Sequence, residues 1–323
     1  MNGVFAAGPL RINLAADDSQ QYEDVVNFLA RYDVAWKDAC VSVNVCVSHS
    51  ADKVQKTEGN FLKLSRMNVD AKPSGLYAAS ASGCSAVYST EENRWDILVA
   101  PQKSQAFWEI PNDIDDLLML VLTTGWRAAG WVPIHAGAIS RDETCALVCA
   151  TSGGGKTTLV SAMVRQGWST LGDDKLLLRS TEESPMVRAL SCIFHLDPQI
   201  EQWFPEARRL DAYPSVSPLS EKRRVPASDL WPGCVVNEAH PTHLVLLSRL
   251  ERINVMRITA LSASELLSTM LSQIVIPKEP RDANLILTTV ANTTRHVKGL
   301  QVEIAGSAYL RPDGLQSLME AFV

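Results

Sequence analysis

The run Ala150-Thr151-Ser152-Gly153-Gly154-Gly155-Lys156-Thr157 follows the phosphate-binding pattern G-x-x-x-x-G-K-[ST], with Ala150 in place of the first glycine. Its residue types suit one task. Glycines let consecutive backbone N–H groups wrap a phosphate without Cβ interference, the lysine reaches the β and γ oxygens, and the hydroxyl is a ligand for Mg²⁺. Ser152, Gly153, Gly154, Gly155, Lys156, Thr157 and Thr158 are the expected contacts to ATP. The plainer alternative is a flexible glycine turn. The flanking sequence weighs against it, because an apolar run, CALVCA, precedes the loop and a helical pattern, TTLVSAMVRQ, follows at once.

Downstream comes Gly172-Asp173-Asp174, between WSTL and KLLL. A P-loop enzyme needs a carboxylate at a strand end to hold Mg²⁺, and a kinase needs another to take the proton of the attacking hydroxyl. Two adjacent aspartates can divide those roles, although Gly-Asp-Asp is also good hairpin-turn chemistry. Upstream, His135 stands in VPIHAG, where a histidine taken alone reads as a core or edge residue.

The elements that must position these groups follow from period and punctuation. WVPIHAGAIS and CALVCA read as strands, and TTLVSAMVRQ reads as a helix closed by Gly167. HLVLLSRL is a further strand, Ser262 to Glu265 opens a helix with a capping box, and a last strand and helix follow Gly299. The stretch 205–232, broken by five prolines, reads as a long loop. Ahead of residue 130, GPLRINL, VSVNVCVS and WDILVA are expected strands and EDVVNFLARY a helix. Pro111-Asn112 caps a second helix that runs to about Ala129, with aspartates in its first turn.

The histidine, the loop ending Gly155-Lys156-Thr157, and Gly167 ahead of Gly172-Asp173-Asp174 together resemble the catalytic domain of the HPr kinase/phosphorylase family in type and spacing. The N-terminal region resembles the stand-alone HPr-kinase-related proteins, whose relatives include kinases of lasso peptides. The resemblance implies an α/β fold, with a P-loop domain of HPr kinase type over 130–323; the α+β module over 1–129 that precedes it is a candidate for acceptor recognition, since the nucleotide motif begins only after Gly130. It implies that Lys156 neutralises the β and γ phosphates, that Thr157 and Asp173 hold Mg²⁺, and that Asp174 is the general base, positioned by His135. Arg223 and Arg224 in EKRRVP then become candidates to stabilise transferred charge, against the plainer reading of a solvated surface run.

Composition narrows the partners. With 323 residues, 46% apolar and 20% charged, the chain can fill two ordinary cores. A net charge of −6 without a basic run argues against nucleic acid. No segment is long and apolar enough for a membrane span, and MNGVFAAGPLRINL lacks the pattern of a signal peptide, so a cytoplasmic protein is expected. Seven scattered cysteines give no disulfide framework; Cys145 and Cys149 read as core. Cys234, His240 and His243 are too irregularly spaced to suggest zinc. The acceptor implied is a hydroxyl of a peptide, protein or small molecule, and a homo-oligomer is left open. The rival function is a nucleotide-gated regulatory ATPase, which needs a metal ligand but not a second aspartate.

Overall fold

In the computed structural model, which describes residues 1–32, 34, 36, 41–49, 62–64, 67–72, 75–80, 83–99, 113–151, 153–181, 183–216, 220–250, 256–311 and 313–322, the chain forms a mixed α/β structure with several sheets. Its residues group into two units, Met1–Gly130 with Pro277–Ala283, and Trp131–Ile276 with Asn284–Val323. No helix among the described residues is long and apolar enough to cross a membrane.

The N-terminal unit contains β1 (Asn2–Ala7), β2 (Leu10–Ala16), α1 (Ser19–Leu29), β3 (Val41–His49), β4 (Leu62–Leu64), β5 (Met67–Lys72), β6 (Gly75–Ser80), β7 (Ser85–Ser89), β8 (Arg94–Val99) and α2 (Asp113–Ala128). The strands form one sheet in the order β1-β2-β3-β8-β7-β6-β5-β4, so β1 and β4 to β7 go beyond the strands expected from periodicity. Leu10, Ile12, Leu14 and Ala16 are buried while Arg11, Asn13 and Ala15 between them are not, the signature of a sheet with one core face. Asp18 caps α1 by accepting from the Gln21 N–H at 2.9 Å. In α2, Leu117, Leu118, Val121 and Trp126 are buried at helical spacing, and the Trp126 indole donates to the Ala7 carbonyl at 3.1 Å. Pro111 and Asn112 lie outside the described residues.

The second unit contains β9 (Val132–Ile134), β10 (Gly137–Arg141), β11 (Thr144–Ala150), α3 (Lys156–Arg165), β12 (Ser169–Gly172), β13 (Leu176–Arg179), β14 (Met186–Ala189), β15 (Ile193–Leu196), β16 (Arg223–Pro226), α4 (Ala227–Leu230), β17 (Glu238–Ala239), β18 (His243–Arg249), β19 (Met256–Ala260), α5 (Ala263–Ser272), α6 (Pro280–His296, whose first residues group with the other unit), β20 (Lys298–Ile304) and α7 (Gln316–Ala321). Its main sheet has the order β12-β10-β11-β18-β20-β19, with β11, β18 and β20 parallel. A second sheet has the order β17-β14-β13-β9, and β15 pairs with β16.

Parallel strands are usually covered on both faces, and β11 is. Ala146, Val148 and Ala150 join Leu159, Val160 and Met163 of α3 in one apolar cluster, while Cys145, Leu147 and Cys149 on the opposite face are also buried. Burial pushes the thiols of Cys145 and Cys149 up to about 12, which makes them inert core residues.

Three expectations need correction. WVPIHAGAIS is not one strand: it breaks at His135-Ala136 into β9 and β10, which belong to different sheets. The 205–232 stretch is not one long loop, since 3-10 turns at Pro205–Ala207 and Leu210–Ala212, then β16 and α4, account for much of it. The helix α6, started by a proline at its first position, adds to the expected elements.

Candidate functional site

Two stretches of chain cross from the main sheet to the second sheet at the same place. On one side of the crossing β10 pairs with β12, Ala138 opposite Gly172; on the other β9 pairs with β13, Ile134 opposite Leu176. The residues left at the two corners are His135-Ala136 and Asp173-Asp174-Lys175, so strand pairing alone brings the histidine against the aspartates. A simple Gly-Asp-Asp hairpin is excluded, because β12 and β13 pair with other strands and not with each other. The corner is fixed by Thr170, whose hydroxyl donates to the Ala138 carbonyl and accepts from the Gly172 N–H, both at 3.0 Å. Gly172 has φ +132°, and a Cβ there would meet the Ser191 carbonyl oxygen at 2.6 Å.

The loop ends at the same corner. Gly153 and Gly155 have φ +74° and +95°, and α3 begins at Lys156 without a side-chain cap on its N-terminal N–H groups. Ser152 lies outside the described residues. The Thr157 hydroxyl donates to Asp173 Oδ2 at 2.6 Å. His135 Nε2 lies 2.8 Å from Asp174 Oδ1 and 3.1 Å from Lys156 Nζ, and Lys175 Nζ lies 3.9 Å from Asp174 Oδ2. One ring nitrogen cannot serve both neighbours at once. Protonated, Nε2 donates to Asp174; unprotonated, it accepts from Lys156. Thr158 is buried in the first turn of α3.

The adjacent carboxylates occupy opposite electrostatic settings. Asp173 is buried, and burial pushes it up to about 7; the Thr157 hydroxyl opposes that rise and the neighbouring charge of Asp174 adds to it. For Asp174, partial burial acts upward, but the His135 hydrogen bond and the charges of Lys175 and His135 outweigh it and hold the carboxyl well below its usual range. Burial lowers the Lys156 ammonium, with Asp174, Cys149 and Asp173 acting against the shift.

One further residue joins from β15. The His195 backbone N–H hydrogen-bonds Asp173, and burial drives its imidazole down to about 4, so the ring is neutral at neutral pH. Sequence reasoning missed it; the only local signal was a histidine inside the apolar strand IFHL. Arg224 stands opposite His195 in the β15-β16 pair, yet its guanidinium donates to the Val216 carbonyl at 2.6 Å and that of Arg223 to the Tyr213 carbonyl at 3.5 Å. Both therefore brace the 213–216 segment. Cys234, His240 and His243 go to separate surroundings: Cys234 is buried, His240 bonds the Pro185 carbonyl, and His243 packs on Phe322.

The residues fit a nucleoside triphosphate with magnesium. Backbone N–H groups without a side-chain cap, a buried lysine and a buried carboxylate with no ion pair among the described residues converge within one corner, and magnesium needs few protein ligands when phosphates supply the rest. Among the described residues no group of three or more His, Cys, Asp or Glu could form an all-protein metal cage.

No family model and no curated protein matches the chain. Among solved structures, that of the Hpr(Ser) kinase/phosphatase from Coxiella burnetii overlays 58% of this chain and 96% of that chain, at 11% sequence identity and a TM-score of 0.33. A likeness that weak carries no argument about activity, which rests on the corner geometry.

Proposed function

We propose that the protein is a Mg²⁺-dependent kinase that transfers the γ-phosphoryl group of ATP to a hydroxyl of a peptide, protein or small molecule. The observation that carries the reading is the division of labour between neighbours: Asp173 turned to the Thr157 hydroxyl, Asp174 turned to His135. Paired titratable groups whose environments drive them apart mark acid–base assignments.

In this reading the loop N–H groups and the first turn of α3 seat the phosphates, and Lys156 turns from His135 to the β and γ oxygens. Mg²⁺, held by Thr157 and Asp173, would neutralise phosphate charge and favour the ionised form of Asp173. Asp174 stays ionised at working pH and accepts the proton of the acceptor hydroxyl. As the new O–P bond forms, the bond from the γ phosphorus to the β–γ bridging oxygen breaks and ADP leaves. His135 holds the Asp174 carboxylate in place, a positioning role. Acceptor recognition is assigned to the N-terminal unit, since the phosphate loop and its carboxylates lie wholly in the other.

Calorimetry with Mg-ATP on the full chain tests the reading. The wild type should bind, and Lys156→Ala should weaken binding by more than about tenfold, the scale of a charge-assisted phosphate contact. Equal affinity in the two proteins would end the proposal.

A further inference from the structure

The nucleotide has a second end, and the sheet order says where it emerges. Asp173 and Asp174 follow β12, on one side of β11, whereas β18 and β20 lie on the other. With the γ end of a triphosphate at Asp174, the side of the loop left for the nucleoside is that of β18 and β20, outside the carboxyl ends of the parallel strands, where open α/β sheets bind ligands.

Arg249 stands at that place. Leu247 pairs with Ala150, so Arg249, the last residue of β18, is level with the start of the glycine loop. Its Nε lies 3.6 Å from the position a Cβ on Gly155 would take. The side chain is exposed and makes no hydrogen bond or ion pair among the described residues. Beyond it, after β20, Tyr309 lies close enough for the Arg249 charge to act on its hydroxyl, and the Tyr309 ring packs 5.9 Å from Trp203. A guanidinium beside the loop, with no ion pair among the described residues and an aromatic pair beyond it, is suited to stack on a base.

We propose that Arg249 forms the nucleoside-facing wall of the site, its guanidinium plane packing on the base of the bound nucleotide, with Tyr309 beyond it. The inference rests on nucleotide binding at the 150–158 loop and adds the residue that distinguishes a nucleotide from a bare polyphosphate.

The test compares Mg-ATP with inorganic tripolyphosphate plus Mg²⁺ by calorimetry, on the wild-type chain, Arg249→Ala and Arg249→Lys. The wild type should bind both ligands. Each variant should lose about tenfold for ATP, within the range of a desolvated stacking contact, and less than about twofold for tripolyphosphate. Lysine keeps the charge but not the plane, so it should not rescue. Equal losses for both ligands, rescued by Arg249→Lys, would make Arg249 a phosphate contact and overturn the inference, as would unchanged ATP affinity in Arg249→Ala. Those outcomes leave nucleotide binding standing. A wild type that binds neither ligand removes the kinase reading itself, and this inference with it.

Discussion

The two units differ in how an enclosed carboxylate is met, although exposed ion pairs such as Arg257–Glu303 and Arg311–Asp313 occur in the second unit as well. In the N-terminal unit, carboxylates meet cations directly: Arg94 with Glu92 and Asp96, and His49 with Asp18, all in exposed pairs, and Arg127 with Asp282 at 2.6 Å in a partly buried one. In the second unit two carboxylates stand side by side at one corner, the inner one buried with a hydroxyl and backbone N–H groups as its hydrogen-bond partners. The sheets differ to match. One face of β2 is left to solvent, whereas β11, which leads into the glycine loop, is buried on both faces. A protein that leaves a buried carboxylate short of positive charge forgoes stability there, and a ligand can supply what is missing.

That contrast can be broken at its strongest point first. Gly172→Ala adds a Cβ against the Ser191 carbonyl at a backbone angle that L residues avoid, so it should cost about 2–4 kcal/mol in urea denaturation and displace both aspartates. Wild-type stability together with wild-type Mg-ATP affinity in that variant would show that the corner does not position the carboxylates.

Asp173→Asn sharpens the contrast through pH. A carboxyl raised in the folded state from 3.8 to about 7 makes folding favour the protonated form, so stability is full at acid pH and is lost as pH rises from about 4 to 7. In metal-free protein the asparagine variant should therefore be more stable than wild type at pH 8, on the order of a few kcal/mol, and equal to it near pH 4. A stability gain that instead grows toward acid would contradict the assignment. Smallest of all, Arg94→Ala should leave the urea midpoint and nucleotide affinity indistinguishable from wild type, because its ion pairs are exposed to solvent.

How much of this was legible depended on distance along the chain. The glycine loop, the lysine and hydroxyl after it, and the start of α3 are contiguous, so local chemistry exposed them. The aspartate pair was visible for the same reason, but the hairpin alternative could be discarded only once β12 and β13 were found pairing elsewhere. Arg249 reaches the loop through the pairing of β18 with β11, and His195 reaches Asp173 through a backbone hydrogen bond between separate stretches of chain, neither of which a local pattern encodes. WVPIHAGAIS looked like one strand because both halves are apolar; what divides it is the choice of partner, β13 for one half and β12 for the other. The proline-rich stretch hid β16, whose partner lies about thirty residues upstream. In α6, Ile286, Thr289, Val290 and Thr293 form the buried stripe; β-branched threonine and valine blur the helical signal.

Asp173 and Asp174, though adjacent, are proposed to do different work. Mg-ATP affinity and phosphoryl transfer, measured on the same Asp174→Asn preparation with candidate hydroxyl acceptors, test that division most directly. Affinity near wild type is expected, with transfer reduced about 10²–10⁴-fold, the usual cost of a missing general base. Transfer at the wild-type rate would contradict it and favour a nucleotide switch whose second aspartate takes no proton.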